Sequence, residues 1–152
     1  MKLAHQVWIK VFSHEKYNED ERLIADKLLQ LFPFSLEEEK IQLKKTNAKG
    51  FNEKNIIVFK VILKKERHIN RFLDNLKENI DDEQKKLIIE QSESRLDENL
   101  DFFIRFNKEE YLTNNKLIIT NSGNCFHIKF SVAAFPKKRE VALNIIRAII
   151  AT

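Results

Sequence analysis

Five side chains here belong to the types that most often do nucleophilic, acid–base or metal chemistry near neutral pH: His5, His14, His68, His127 and Cys125. Their spacing assembles little. No HExxH pattern occurs, and no histidine pair stands at zinc spacing with a cysteine partner. His5 and His14 bracket one predicted strand, too far apart to share a metal. Cys125 and His127 lie two residues apart on another strand and so share a face, as a Cys–His nucleophile pair would require. The plainer reading is a cysteine that opens a strand and a histidine on its open side. Glu37-Glu38-Glu39 and Glu109-Glu110 read as solvated acidic runs, with no carboxylate dyad for acid–base work. With Gly50 and Gly123 as the sole glycines, neither GxGxxG nor GxxxxGK[ST] can be written. The reading is a non-enzyme: no catalytic residue, no metal ligand and no cofactor is expected.

Cations and aromatics are the more informative residues. Alternation along the predicted strands sorts side chains onto two faces of a sheet. If Val7, Ile9 and Val11 point inward, Trp8, Lys10 and Phe12 point out. Burying Ile57, Phe59, Val61 and Leu63 turns out Val58, Lys60, Ile62 and Lys64. Burying Phe102, Ile104 and Phe106 turns out Phe103 and Arg105. Burying Phe126, Ile128, Phe130 and Val132 turns out His127, Lys129 and Ser131. Gln42 and Lys44 join them from the second strand. Aromatic rings can stack unpaired bases, and lysines and arginines can take phosphates. The same aromatics would equally suit a face buried in a homodimer, or covered by an acidic helix. A second set of cations, Lys64, Lys65, Arg67 and Arg71, marks a strand end and a helix start. Lys137, Lys138 and Arg139 mark another helix start. Backbone N–H groups there suit anions, whereas cations oppose the helix dipole. Those positions are either phosphate contacts or ordinary solvated charges.

The elements that must position these residues follow from periodicity and caps. Residues 5–13 predict a strand, and Asn18 with Glu21 predicts a capped helix running to about Leu31, stopped by Pro33. Short strands are expected at 41–46 and 56–65, with a loop or hairpin tip around Gly50. Helices are expected at 66–76 and, capped by Asp81 or Asp82, as one acidic helix over 82–96. Strands follow at 102–107, 116–120 and 125–133, the last two joined by a turn at Asn121-Ser122-Gly123-Asn124. A final helix spans 137–150, with Pro136 at its first turn. Strands in hairpin pairs separated by helices predict an α+β fold. The expected architecture is a two-layer sandwich, a mostly antiparallel sheet with helices on one face. At 152 residues the chain is one domain's worth, read as a single domain over 1–152. Its formal charge of +4 hides an acidic stretch, residues 81–101, of −5 on a remainder of +9. That asymmetry suits a polyanion partner. One cysteine excludes an internal disulfide framework. The lack of a long apolar run and of a signal-like N-terminus predicts a soluble, intracellular protein that meets no membrane.

Several stretches together resemble an archaeal family described as predicted RNA-binding proteins or predicted exosome subunits. They are Trp8-Ile9-Lys10-Val11-Phe12, Glu19-Asp20-Glu21, Gly50-Phe51-Asn52, Asn55-Ile56-Ile57, Arg67 through Phe72-Leu73, Arg105-Phe106-Asn107-Lys108, and Ser122-Gly123-Asn124. The longest is Ile128 through Glu140, containing Phe135-Pro136-Lys137-Lys138-Arg139. The resemblance covers nearly the whole chain, with two departures: Asn107 where the family has Asp, and Glu53 in place of a second glycine. It implies a fold like that of the ribosomal protein that holds 5S RNA. It also implies RNA binding near RNA-processing machinery or the exosome, and a cytoplasmic setting. The expected RNA-contacting residues are Trp8, Lys10, Lys60, Lys64, Lys65, Arg67, Arg71, Arg105, Lys129, Lys137, Lys138 and Arg139. Contact would run mainly through phosphates and shape. The alternative is a protein–protein module or a homodimer that closes the open sheet face.

Overall fold

Alternating apolar residues build the sheet, and one strand organises it. The computed structural model describes residues 1–49 and 54–151. The tip of the hairpin expected around Gly50, with the Gly50-Phe51-Asn52 and Glu53 positions, lies outside the described residues. The strands are β1 (Ala4–His14), β2 (Lys44–Lys49), β3 (Asn55–Leu63), β4 (Asp101–Asn107) and β5 (Cys125–Val132). They form one sheet in the order β2-β3-β1-β5-β4, with every pairing antiparallel. β1 is therefore central. Val7, Ile9 and Val11 are wholly buried, as are Val61, Leu63, Phe102, Ile104, Phe106, Phe126, Ile128 and Phe130. The predicted inward face is the observed one.

Helices α1 (Glu21–Leu29), α2 (Glu66–Asn79) and α6 (Arg139–Ile150) cover that face. Their stripes, including Ile24 and Leu28, Ile69, Phe72 and Leu76, and Ala142 and Ile146, join the inward strand residues in one core cluster. Burial of each such side chain contributes roughly 1.5–3 kcal/mol. The fold is α+β, a sheet with one face under helices and the other left to solvent.

Several expectations change in detail. Asn18 does not cap α1. It takes a left-handed conformation (φ 56°) after a short 3-10 turn at Glu15–Tyr17, and Asp20 caps instead, accepting from the N–H groups of Arg22 and Leu23. The strand expected at 41–46 starts at Lys44, because Ile41 and Leu43 pack on the core as irregular chain. The single acidic helix breaks at Gln91 into α3 (Asp82–Glu90) and the one-turn α4 (Ser92–Arg95), with Asp81 capping the former through Gln84 N–H. The region 116–120 forms no strand, only an isolated bridge between Ile119 and Phe106. Before it runs a helix that the sequence pattern does not announce, α5 (Lys108–Asn114). The last helix begins at Arg139 rather than at Pro136.

Candidate nucleic-acid interface

The acidic helices leave the open face uncovered. α3 packs on α6 and α4, and α4 borders the edge strand β4. Trp8, Lys10, Phe12, Val58, Lys60, Ile62, Phe103, His127 and Lys129 are all partly exposed.

Register then aligns the charges. Lys44 stands opposite Lys60, Lys60 opposite Lys10, Lys10 opposite His127, and His127 opposite Arg105. The row crosses all five strands. With strands about 4.8 Å apart, it is roughly 19 Å long. Beside it runs a second row, Ile62, Trp8, Lys129 and Phe103. The Trp8 indole is ringed by ammonium groups: Lys10 Nζ is 4.8 Å from the ring centroid, and Lys60 and Lys129 Nζ are each 5.2 Å away. Lys10 also sits 5.2 Å from the Phe12 ring. Cation–π attraction recovers roughly 0.5–1 kcal/mol per contact at exposed sites. It does not remove the repulsion, since like charges directly opposite one another destabilise a sheet. Among the described residues, none of Lys10, Lys44, Lys60, Arg105 and Lys129 forms an ion pair.

The strain shows in the titrating groups. Burial, then the charges of Lys10, Lys44 and Lys129, holds the Lys60 ammonium below its ordinary value. Burial pushes His127 down to about 4, helped by Arg105, Lys10 and Lys129. His127 is thus neutral at pH 7, wedged edge-on to Trp8 at 5.1 Å and stacked on Phe103 at 5.6 Å. Its Nε2 is buried and finds no hydrogen-bond partner among the described residues. At the β4 edge the row gains another cation. Arg95 of α4 donates to Gln91 Oε1 from Nε (3.1 Å) and Nη2 (2.6 Å). Burial and the neighbouring Arg105 lower its pKa. Arg95, Arg105, Phe103 and Asn121 line a cleft of about 220 Å³. Arg95 is absent from the residues expected at the site because it lies inside the acidic stretch of the sequence.

The other expected contacts are placed differently. Lys64, Lys65, Lys137 and Lys138 are exposed at the starts of α2 and α6. Arg67 Nη2 is 3.3 Å from Glu39 Oε2, and Arg71 Nη1 is 3.8 Å from Glu39 Oε1. Arg71 also donates to the Pro33 carbonyl at 3.2 Å and lies 5.1 Å from the Phe34 ring. Arg139 donates to the carbonyls of Leu96 and Glu93, tying α6 to the end of α4. These three arginines are held by internal partners. The open face brings together Trp8, Lys10, Lys60, Arg105 and Lys129, with Lys44 and Phe103.

The Arg105-Phe106-Asn107-Lys108 segment divides its work. Arg105 ends the cation row, and Phe106 is wholly buried. Asn107 caps α5 by accepting from Glu110 N–H at 2.9 Å, a bond that an Asp would make equally. Lys108 is buried and donates to Phe12 O at 2.5 Å and to Glu19 Oε1 at 3.0 Å. The segment thus ties α5 to the C-terminal end of β1. Cys125 is buried, and burial raises its thiol pKa, the reverse of what a nucleophile needs.

A helix-backed antiparallel sheet whose free face aligns unpaired cations around aromatic rings defines an α+β protein with one basic recognition face. Comparison with known proteins is more particular. A family model described as RNA binding matches residues 6–132, and the chain belongs to that family. It is 30% identical over 145 residues to an RNA-binding protein of Pyrococcus abyssi, covering 95% of this chain and 92% of that one. Among solved structures it is similar to a protein from Archaeglobus fulgidus, with a TM-score of 0.81 at 25% identity over 96% and 99% of the two chains. It is also similar to a DUF54 protein from Methanothermobacter thermautotrophicus, with a TM-score of 0.75 at 25% identity over 97% and 98%.

Proposed function

We propose that this protein binds RNA through the open face of its sheet. Lys44, Lys60, Lys10 and Arg105 take successive phosphates, and Lys129 and Arg95 flank the path. One observation carries the reading: the register sets four cations in a line across five strands with no ion-pair partner among the described residues. Such a line costs the free protein stability, and phosphates would relieve the cost. Membership of an RNA-binding family and the likeness to the Pyrococcus abyssi protein support it. A row of lysines reads charge and shape rather than base edges, so sequence preference should be weak.

A homodimer closed through this face is the less favoured reading. A second copy would set the cation row against its own image, and like-charge juxtaposition across an interface is costly. The finer parts of the reading are proposed with it: a non-enzymatic role, service to RNA-processing machinery such as the exosome, a cytoplasmic setting, and kinship with the fold that holds 5S RNA. They follow from the family resemblance.

The test is a titration against a structured RNA and a single strand over a range of salt. Four phosphate contacts predict a log–log salt slope of about −3 on the single strand. Affinity that does not change with salt, or no binding at low salt, would remove the proposal.

A further inference from the structure

The C-terminal end of β1 carries a feature that the cation row does not use. Beyond Phe12 the chain turns through His14 into the 3-10 turn, and three rings follow one another. Phe12 stacks on His14 at 5.9 Å and 30°, and His14 meets the Tyr17 ring edge-on at 5.3 Å. With Ile56, Gly123 and Asn124 they line a mainly apolar cleft of about 480 Å³. That volume exceeds what a single nucleobase needs, and the cleft lies within the usual range of small-ligand sites, roughly 300–1,000 Å³. Tyr17 is 61% exposed, an unusual position for a large ring with no packing role. A Cβ placed on Gly123 would meet nothing within 4 Å, so the turn at 121–124 leaves room there. Cations stand at both ends: Lys10 Nζ is 5.2 Å from the Phe12 ring and Lys16 Nζ is 5.4 Å from the Tyr17 ring. Among the described residues neither forms an ion pair. Lys10 belongs to the cation row as well, so the cleft opens directly off the proposed phosphate path.

We infer that this cleft receives one unpaired nucleobase of an RNA whose backbone follows the row, with Tyr17 and His14 stacking on the base and Lys16 meeting its phosphate. The occupant is fixed by charge and shape together: an apolar slot takes a flat ring, and ammonium groups at both ends demand an anionic chain attached to it. The inference rests on the proposed function and names its ligand class, an RNA with a single-stranded nucleotide beside the bound segment. A fully paired duplex has no base to offer the cleft.

The experiment compares Tyr17→Ala and Tyr17→Phe with the native chain on two probes. One is a single-stranded RNA carrying 2-aminopurine; the other is the fully paired duplex of the same length. Tyr17 is exposed, so its removal should not unfold the protein. The inference predicts that Tyr17→Ala weakens the single strand roughly tenfold, as loss of one stacked base should. It also predicts that 2-aminopurine quenching is lost, that Tyr17→Phe restores both, and that the duplex does not share the loss. Equal affinity of Tyr17→Ala and native protein for the single strand would overturn the cleft and leave the sheet reading standing. If the native protein binds neither probe at low salt, the sheet reading falls and the cleft with it.

Discussion

Two groups of basic residues look alike in the sequence and differ completely in the fold. Arg67, Arg71 and Arg139 in the helix layer are engaged by Glu39 and by the carbonyls of Pro33, Leu96 and Glu93. Lys108 is the extreme case, buried on Glu19 and Phe12 O. Lys10, Lys44, Lys60 and Arg105 on the sheet have one another for neighbours. A count of charges treats the two groups as one basic patch. The distinction lies in whether a cation's partner is supplied by the chain itself or left for another molecule.

Breaking the engaged group should cost stability. Lys108→Met strands the Glu19 carboxylate in a largely buried site and should lower unfolding free energy by about 3–5 kcal/mol, measured by urea denaturation. A value near zero would show the pair to be dispensable.

The unpaired group should show itself through acid. The folded-state pKa of His127, about 4, lies below its ordinary 6.5 because burial and its cationic neighbours disfavour the imidazolium. The unfolded chain therefore binds a proton more readily between those values. Stability that is full above pH 6.5 is lost as pH falls toward 4. In His127→Gln, melting followed from pH 7 to 4 should fall less steeply than in the native chain. An identical fall would place the histidine in an ordinary environment.

Smaller effects sharpen the contrast. Arg139→Ala removes two bonds to carbonyls and should cost about 1–2 kcal/mol while RNA affinity stays the same. Lys60→Gln should do the reverse. Stability should stay within about 0.5 kcal/mol, because lost cation–π contact offsets relieved repulsion, and the salt slope on a single strand should flatten by about 0.7.

Much of this face is legible in the amino-acid sequence, for a physical reason. Strand side chains alternate with period 2, so the inward residues Val7, Ile9, Val11, Phe102 and Ile104 fix Trp8, Lys10, Phe103 and Arg105 as outward. Register is not local. That Lys44, Lys60 and Lys10 form one line depends on how three strands meet, which alternation within each cannot say. α5 escapes a reading by periodicity because its buried residues are Lys108 and Tyr111, and an ion-paired lysine reads as solvent-facing. Arg95 is hidden by its acidic neighbours in sequence, although its neighbour in space is Arg105. The engagement of Arg67 and Arg71 rests on Glu39, which as part of an acidic run reads as solvated.

The most direct measurement sets the two groups against each other. One variant replaces Lys10, Lys44 and Lys60 by Gln, and another replaces Arg67, Arg71 and Arg139 by Gln. Both are titrated with the same single-stranded RNA across a salt series. The account predicts that the first variant binds weakly with a slope flattened by about 2, and that the second keeps the native slope. A flattened slope in the second variant, with the first unchanged, would contradict the account and move the RNA from the sheet to the helix starts.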